Sequence, residues 1–104
     1  MNHDSDKPPP PFEALHVPPA AFEQGGVEVL RAVIVDGALH VSLRLAFDDP
    51  EAWGMLMADV TRHVARIYAN EKHMPEEDTL ARVRGMFEAE MDAPTDPGST
   101  SALS

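Results

Sequence analysis

The sequence of 104 residues contains no cysteine. It can therefore form no disulfide, and it offers neither a cysteine nucleophile nor a thiolate ligand for a metal. Positive charge is also scarce, because eight Lys and Arg residues stand against eighteen Asp and Glu residues, giving a formal net charge of −10 at pH 7. An acidic chain attracts neither nucleic acid nor an anionic membrane surface, so we expect no partner of either kind.

Long apolar runs are absent as well. The longest uninterrupted aliphatic stretch is Ala32 to Val35, whereas a membrane helix needs about twenty apolar residues. The start of the chain, residues 1–11, is polar and rich in proline, and it lacks the apolar stretch of a secretory signal. Because the lack of cysteine also fits a reducing compartment, we expect a cytoplasmic protein.

Proline is plentiful instead, and six of the ten prolines fall within the first nineteen residues. Proline donates no backbone hydrogen bond to a helix or a sheet, so residues 1–11 are predicted to be a disordered arm, with a Pro-x-x-P ligand as the functional alternative. Two prolines, a glycine and a Ser/Thr cluster predict a disordered tail over 93–104. A single domain over 12–92 remains.

Residues 27–35 and 38–47 have the composition of strands, since both are rich in Val, Ile and Leu. The intervening Asp36-Gly37 favours a two-residue type I′ turn, in which both positions need a positive φ. That register creates one wholly apolar surface, here called the aliphatic face: Leu30, Ala32, Ile34, Leu39, Val41, Leu43 and Leu45. A bulged three-residue loop would shift the register by one and bury Arg31 beside the aliphatic residues, so the first register is preferred.

Helix signals dominate the second half of the chain. Residues 48–51, Asp-Asp-Pro-Glu, predict a helix start in which Asp49 accepts from free backbone amides. Apolar residues at three- and four-residue spacing predict one helix to about residue 71 and a second over about 75–92. Gly54 costs the first helix about 1 kcal/mol relative to alanine, which indicates that another group packs close to it.

These elements predict an α+β domain of two layers, in which the antiparallel hairpin is covered on one face by the two helices. A third edge strand at 13–17 and a turn of helix at 18–22 are further expectations. The other sheet surface, the mixed face, carries valines interleaved with polar residues and is too apolar to stay open. We therefore expect a symmetric homodimer, with a monomer covered by segment 12–22 as the alternative.

The mixed face also provides the first candidate site, because Arg31, His40, Ser42 and Arg44 lie together on it. Two arginines and a histidine could bind a carboxylate or a phosphate. The simpler interpretation is a surface whose arginines form ion pairs with acids such as Glu28.

A second, weaker candidate is Asp59 with His63, one helical turn apart, because a carboxylate can orient an imidazole as a base. No serine or cysteine nucleophile accompanies them, and an ion pair is the simpler interpretation. We assign no catalytic residue. No metal-binding spacing and no glycine-rich phosphate motif is present, so neither a metal nor another cofactor is expected.

Two segments carry a resemblance to a known family: Asp49-Pro50-x-x-Trp53-Gly54 and Arg62-His63-Val64-Ala65. Over about residues 15–92 the chain resembles a family of small alphaproteobacterial proteins known as a domain of unknown function. The resemblance implies a compact α+β unit of bacterial cytoplasmic origin, and it implies no activity, substrate or catalytic residue.

The expected function is a small non-enzymatic interaction or regulatory module that acts as a homodimer. A small-anion-binding protein or modest enzyme, using Arg31, His40 and Arg44, is the alternative. A subunit that docks on another protein through its arm or its acidic helix is the third possibility.

Overall fold

The computed structural model of the chain describes residues 11–95 and 98–103. Its elements are helix α1 (Pro19–Gln24), strands β1 (Leu30–Val35) and β2 (Ala38–Arg44), helices α2 (Glu51–Lys72) and α3 (Glu76–Asp92), and strand β3 (Ser99–Leu103). The fold is α+β, as predicted, with helices and a three-stranded mixed sheet. The proline-rich arm predicted over 1–11 lies, except for its last residue, outside the described residues.

The Asp36-Gly37 turn sets the register of the hairpin. Both residues have positive φ, 51° at Asp36 and 80° at Gly37, as a type I′ turn requires. Val35 pairs with Ala38, and the antiparallel ladder continues to the pair of Leu30 with Leu43. The two-residue turn is confirmed, and the bulged alternative is wrong.

The third strand comes from the far end of the chain. β3 pairs with β2 in parallel, so that the sheet order is β1-β2-β3, and the sheet reaches beyond the boundary predicted at residue 92. Residues 11–18 form no strand, so the edge strand predicted at 13–17 is wrong, whereas the predicted helical turn is present as α1. Pro18 and Pro19 cannot donate to a ladder, but Pro19 suits the first turn of a helix.

Helices α2 and α3 occupy the predicted ranges to within a residue or two. At the start of α2, the Asp49 carboxylate accepts a hydrogen bond from the Glu51 backbone N–H at 3.0 Å, as the sequence predicted. At its end, His73 has a φ of 56° and donates its N–H to the Tyr68 carbonyl, which is a helix-ending geometry more often filled by glycine. No helix in the described ranges combines the length and apolar character of a membrane span.

Backbone packing within the described ranges is divided into two parts. α2 packs against α3, and the strands pack against one another, while no strand Cα atom lies within 8 Å of a helix Cα atom. The two parts meet at the connection between β2 and α2, where the Phe47 and Trp53 rings contact edge to face with centroids 5.1 Å apart. Among the described residues, Ala65 and Thr79 alone are fully buried, at 1% and 4% exposure.

The aliphatic face is consequently open in the single chain. Ile34 is 74% exposed, Leu45 is 72% exposed and Leu39 is 42% exposed. Ala32 is exposed as well, while Leu30, Val41 and Leu43 are partly buried. A methyl group built at Gly54 would meet no atom of the described residues within 4 Å, so none of these residues is the close neighbour predicted for this glycine.

The molecule is also extended for its length. Its Cα radius of gyration is 17.6 Å and its longest dimension is 57 Å, whereas a compact domain of this size has a radius of gyration of about 13 Å. In the described ranges, the helices and the sheet do not enclose a common core, which is consistent with this extended shape.

Candidate functional site

The hairpin register places three of the four candidate residues around one concavity, at the end of the hairpin away from its turn. Arg31 on β1 is paired with Ser42 on β2, and Arg44 follows on the same side of β2, because alternate residues of a strand share a face. The concavity has a volume of about 170 Å³ and is lined by these three residues with Glu28, Leu30 and Leu43. It is open to solvent, and its lining mixes charged, polar and apolar residues.

Glu28 connects the two arginines of this concavity. Its carboxylate accepts two hydrogen bonds from Nη2 of Arg31, at 3.0 and 3.1 Å, and one from Nε at 3.3 Å. Its backbone carbonyl accepts from Nε of Arg44 at 3.3 Å. The predicted ion pair with Glu28 is thus confirmed for Arg31. Both ends of that pair are about half exposed, so it stabilises the fold by at most about 1 kcal/mol.

Two guanidinium groups and one carboxylate leave a positive charge in excess at the concavity, in a chain of net charge −10. Arg44 keeps donors that the single bond to the Glu28 carbonyl does not use, because a guanidinium has five N–H groups. Such a surface can hold a small carboxylate or phosphate by charge-assisted hydrogen bonds.

The contact between Phe12 and Arg31 was not predicted from the sequence. The Phe12 ring centroid lies 5.9 Å from Cζ of Arg31, within the range of a cation–π interaction. The contact brings the segment before α1 onto the mixed face, although Phe12 itself remains largely exposed. Segment 12–22 was predicted to cover the mixed face in the monomeric alternative. It contacts that face through Phe12 and leaves much of the face exposed to solvent.

His40 is placed differently from the other three candidates. In the sheet register it is opposite Val33 on β1 and beside Ser99 on β3, nearer the hairpin turn than Ser42. It shares their face of β2 but is not among the residues that line the concavity. The structure thus gathers Arg31, Ser42 and Arg44, with His40 as a neighbour.

Asp59 and His63 lie one turn apart on α2, and both are exposed. A base-orienting pair depends on a fixed geometry next to a bound substrate, and neither residue lines the concavity or the groove described below. Within the described part of the chain, no three His, Asp or Glu side chains come together as a metal site would require.

The larger depression is a groove between α2 and α3, with a volume of about 560 Å³. We call it the helix groove. Its lining is mainly apolar (Trp53, Gly54, Met57, Ala58, Leu80, Val83 and Phe87), with Thr61, Arg62, Arg84 and Glu88 completing it. The sequence pattern had placed its large apolar side chains on the apolar stripes of the two helices, so the signal was present. What the pattern could not show is that, within the described ranges, Met57 and Phe87 stay exposed and the other three are only partly buried.

The comparisons with known proteins agree with the fold. The family model described as "Domain of unknown function (DUF5076)" matches residues 14–95. A solved structure, "Structure of a putative pyruvate dehydrogenase from the photosynthetic bacterium Rhodopseudomonas palustrus CGA009", is 40% identical, with a TM-score of 0.70 over 90% of this chain and 98% of that chain. None of the curated proteins compared with the chain matches it.

Proposed function

The chain belongs to the DUF5076 family, described as a domain of unknown function, and from its surfaces we propose that it is a small non-enzymatic interaction or regulatory module acting as a homodimer. The observation that supports this proposal is the lack of an enclosed apolar core. Ala65 is the one fully buried apolar residue in the described ranges, while large side chains such as Ile34, Leu45 and Phe87 are exposed.

Folding must offset the loss of chain entropy mainly by burying apolar surface. A single chain with so little enclosed surface gains little from folding alone, and no disulfide can compensate. Association of two copies would bury the open faces, which is how many small domains reach useful stability. The absence of cysteine further supports a cytoplasmic location for this dimer.

Sedimentation velocity over a range from submicromolar to tens of micromolar tests the homodimer. We expect a species of twice the 11.3 kDa chain mass at the higher concentrations. The wild-type chain sedimenting as a folded monomer at tens of micromolar would contradict the proposal.

A second candidate function is small-anion binding at the concavity of Arg31, Ser42 and Arg44. It is favoured by the shared lining of that concavity and by its excess positive charge. The similar solved structure is described as a "putative pyruvate dehydrogenase", which suggests pyruvate as a ligand to test. Pyruvate is a small carboxylate of the class that paired arginines recognise. Pyruvate and inorganic phosphate are therefore the probes of choice.

Thermal-shift titration tests anion binding. If the site is real, pyruvate or phosphate raises the melting temperature of the wild type but not that of Arg31→Ala/Arg44→Ala. The matched control is Arg66→Ala/Arg82→Ala, which removes the same two charges from exposed helix positions and keeps the response. Equal shifts in all three proteins would show general salt stabilisation and refute the site.

A further inference from the structure

The aliphatic face and the helix groove are two open apolar surfaces of the same chain. Leu39 and Ile34 represent the first, and Met57 and Phe87 the second, and all four side chains are exposed. A β-sheet with an uncovered apolar face and a helix pair with an uncovered apolar groove each require a second layer. Within the described ranges neither supplies that layer to the other, because strands and helices do not come into backbone contact.

We propose, building on the homodimer above, that α2 and α3 of one copy pack on the aliphatic face of the other copy's sheet. The helix groove of each copy then covers the hairpin of its partner, and a two-fold axis generates both contacts. The dimer then contains two of the two-layer units that the hydrophobic pattern predicts. In each unit, the sheet comes from one copy and the helices come from the other.

The dimensions of the two surfaces agree. Strands of six and seven residues span about 20 Å at 3.3 Å per residue. Helix α3, with seventeen residues, spans about 25 Å at 1.5 Å per residue. A hairpin laid along the helix pair can therefore be covered over its full length.

A second copy fits these surfaces better than an unrelated protein. A partner must present an apolar groove to the sheet and an apolar sheet face to the helices at the same time. Another copy of this chain has both, and a two-fold interface uses each surface twice. The mixed face does not suit the groove, because covering the Arg31–Glu28 pair would remove charged groups from water at a cost that the pair's attraction rarely repays.

The proposed packing also leaves room at Gly54. It lines the helix groove, and a methyl group there would meet no atom of the described residues within 4 Å. A glycine kept within a helix at a cost in helix propensity is understandable when a neighbouring backbone approaches closely. The partner's sheet supplies that neighbour in the proposed dimer.

The lack of cysteine allows a clean cross-linking test. One chain carrying Ile34→Cys and a second, differently tagged chain carrying Phe87→Cys are co-expressed, purified through both tags, and treated with a short bis-maleimide. Each chain then has a single thiol, so any mixed product joins two chains. We expect a several-fold higher yield of mixed cross-link than for the control pair Ser42→Cys with Phe87→Cys, in which the sheet thiol lies on the mixed face.

Sedimentation of the same proteins separates the two proposals. A wild-type dimer whose Ile34/Phe87 pair cross-links no better than the control overturns the sheet-on-helix arrangement and leaves the homodimer standing. A monomeric wild type overturns both. If a cysteine at Ile34 or Phe87 weakens association, the pair Leu39→Cys with Met57→Cys probes the same contact, and a yield at the control level there also refutes it.

Discussion

At the scale of single residues, the most informative side chain is Thr79. It is fully buried on α3, and its hydroxyl has no hydrogen-bond partner among the described residues. A buried hydroxyl without a partner carries a desolvation cost of about 1–3 kcal/mol that folding does not recover. Thr79 therefore works against the stability of the helix pair in which it lies.

We predict that Thr79→Val, which keeps the shape and removes the hydroxyl, raises the free energy of unfolding by about 1 kcal/mol. Chemical denaturation measures the change. The control is Thr95→Val, just beyond α3, whose exposed hydroxyl already donates to the Glu90 carboxylate at 2.9 Å and should bring no such gain. If Thr79→Val is no more stable than wild type, the buried hydroxyl has a partner that the geometry does not show.

At the scale of elements, two glycines lie at positions that require different backbone conformations. Gly37 has a φ of 80° in the hairpin turn, and Gly85 lies inside α3. A methyl group at either position would meet no atom of the described residues within 4 Å. Because crowding is absent at both, the same substitution isolates the backbone conformation that each element requires.

Gly85→Ala is expected to stabilise the protein by about 1 kcal/mol, since alanine is the better helix former. Gly37→Ala should destabilise it by about 1 kcal/mol or more, because a Cβ atom disfavours the left-handed region. Thermal unfolding of the two variants beside the wild type checks the signs. Equal shifts of the same sign would mean that turn and helix geometry do not govern these positions.

At the scale of the whole molecule, we expect the stability of the fold to depend on the association of two copies. If the apolar faces become buried only between copies, folding is linked to dimerisation and the melting temperature depends on protein concentration. A tenfold rise in concentration then adds about 1.4 kcal/mol to the stability of the dimer. Calorimetry at three concentrations should show a steady upward shift, whereas a constant melting temperature would indicate a chain that is stable alone.

The sequence by itself determined the local structure of this protein. Asp36-Gly37 specified the turn and with it the register, because a two-residue turn with positive φ permits one pairing of the strands. Asp49 specified the start of α2, and apolar spacing specified the extents of both long helices. The ion pair of Arg31 with Glu28 also followed, since these two residues are neighbours along β1 and its approach.

Only the tertiary structure decided which residues far apart in sequence come into contact. The pairing of β3 with β2 joins Ser99 to His40, and nothing local to residues 99–103 specifies a parallel partner so distant. The contact of Phe12 with Arg31 is of the same kind. The largest difference from the predicted fold is the open aliphatic face. Periodicity shows which side chains need burial, but it does not show whether the covering surface belongs to the same chain.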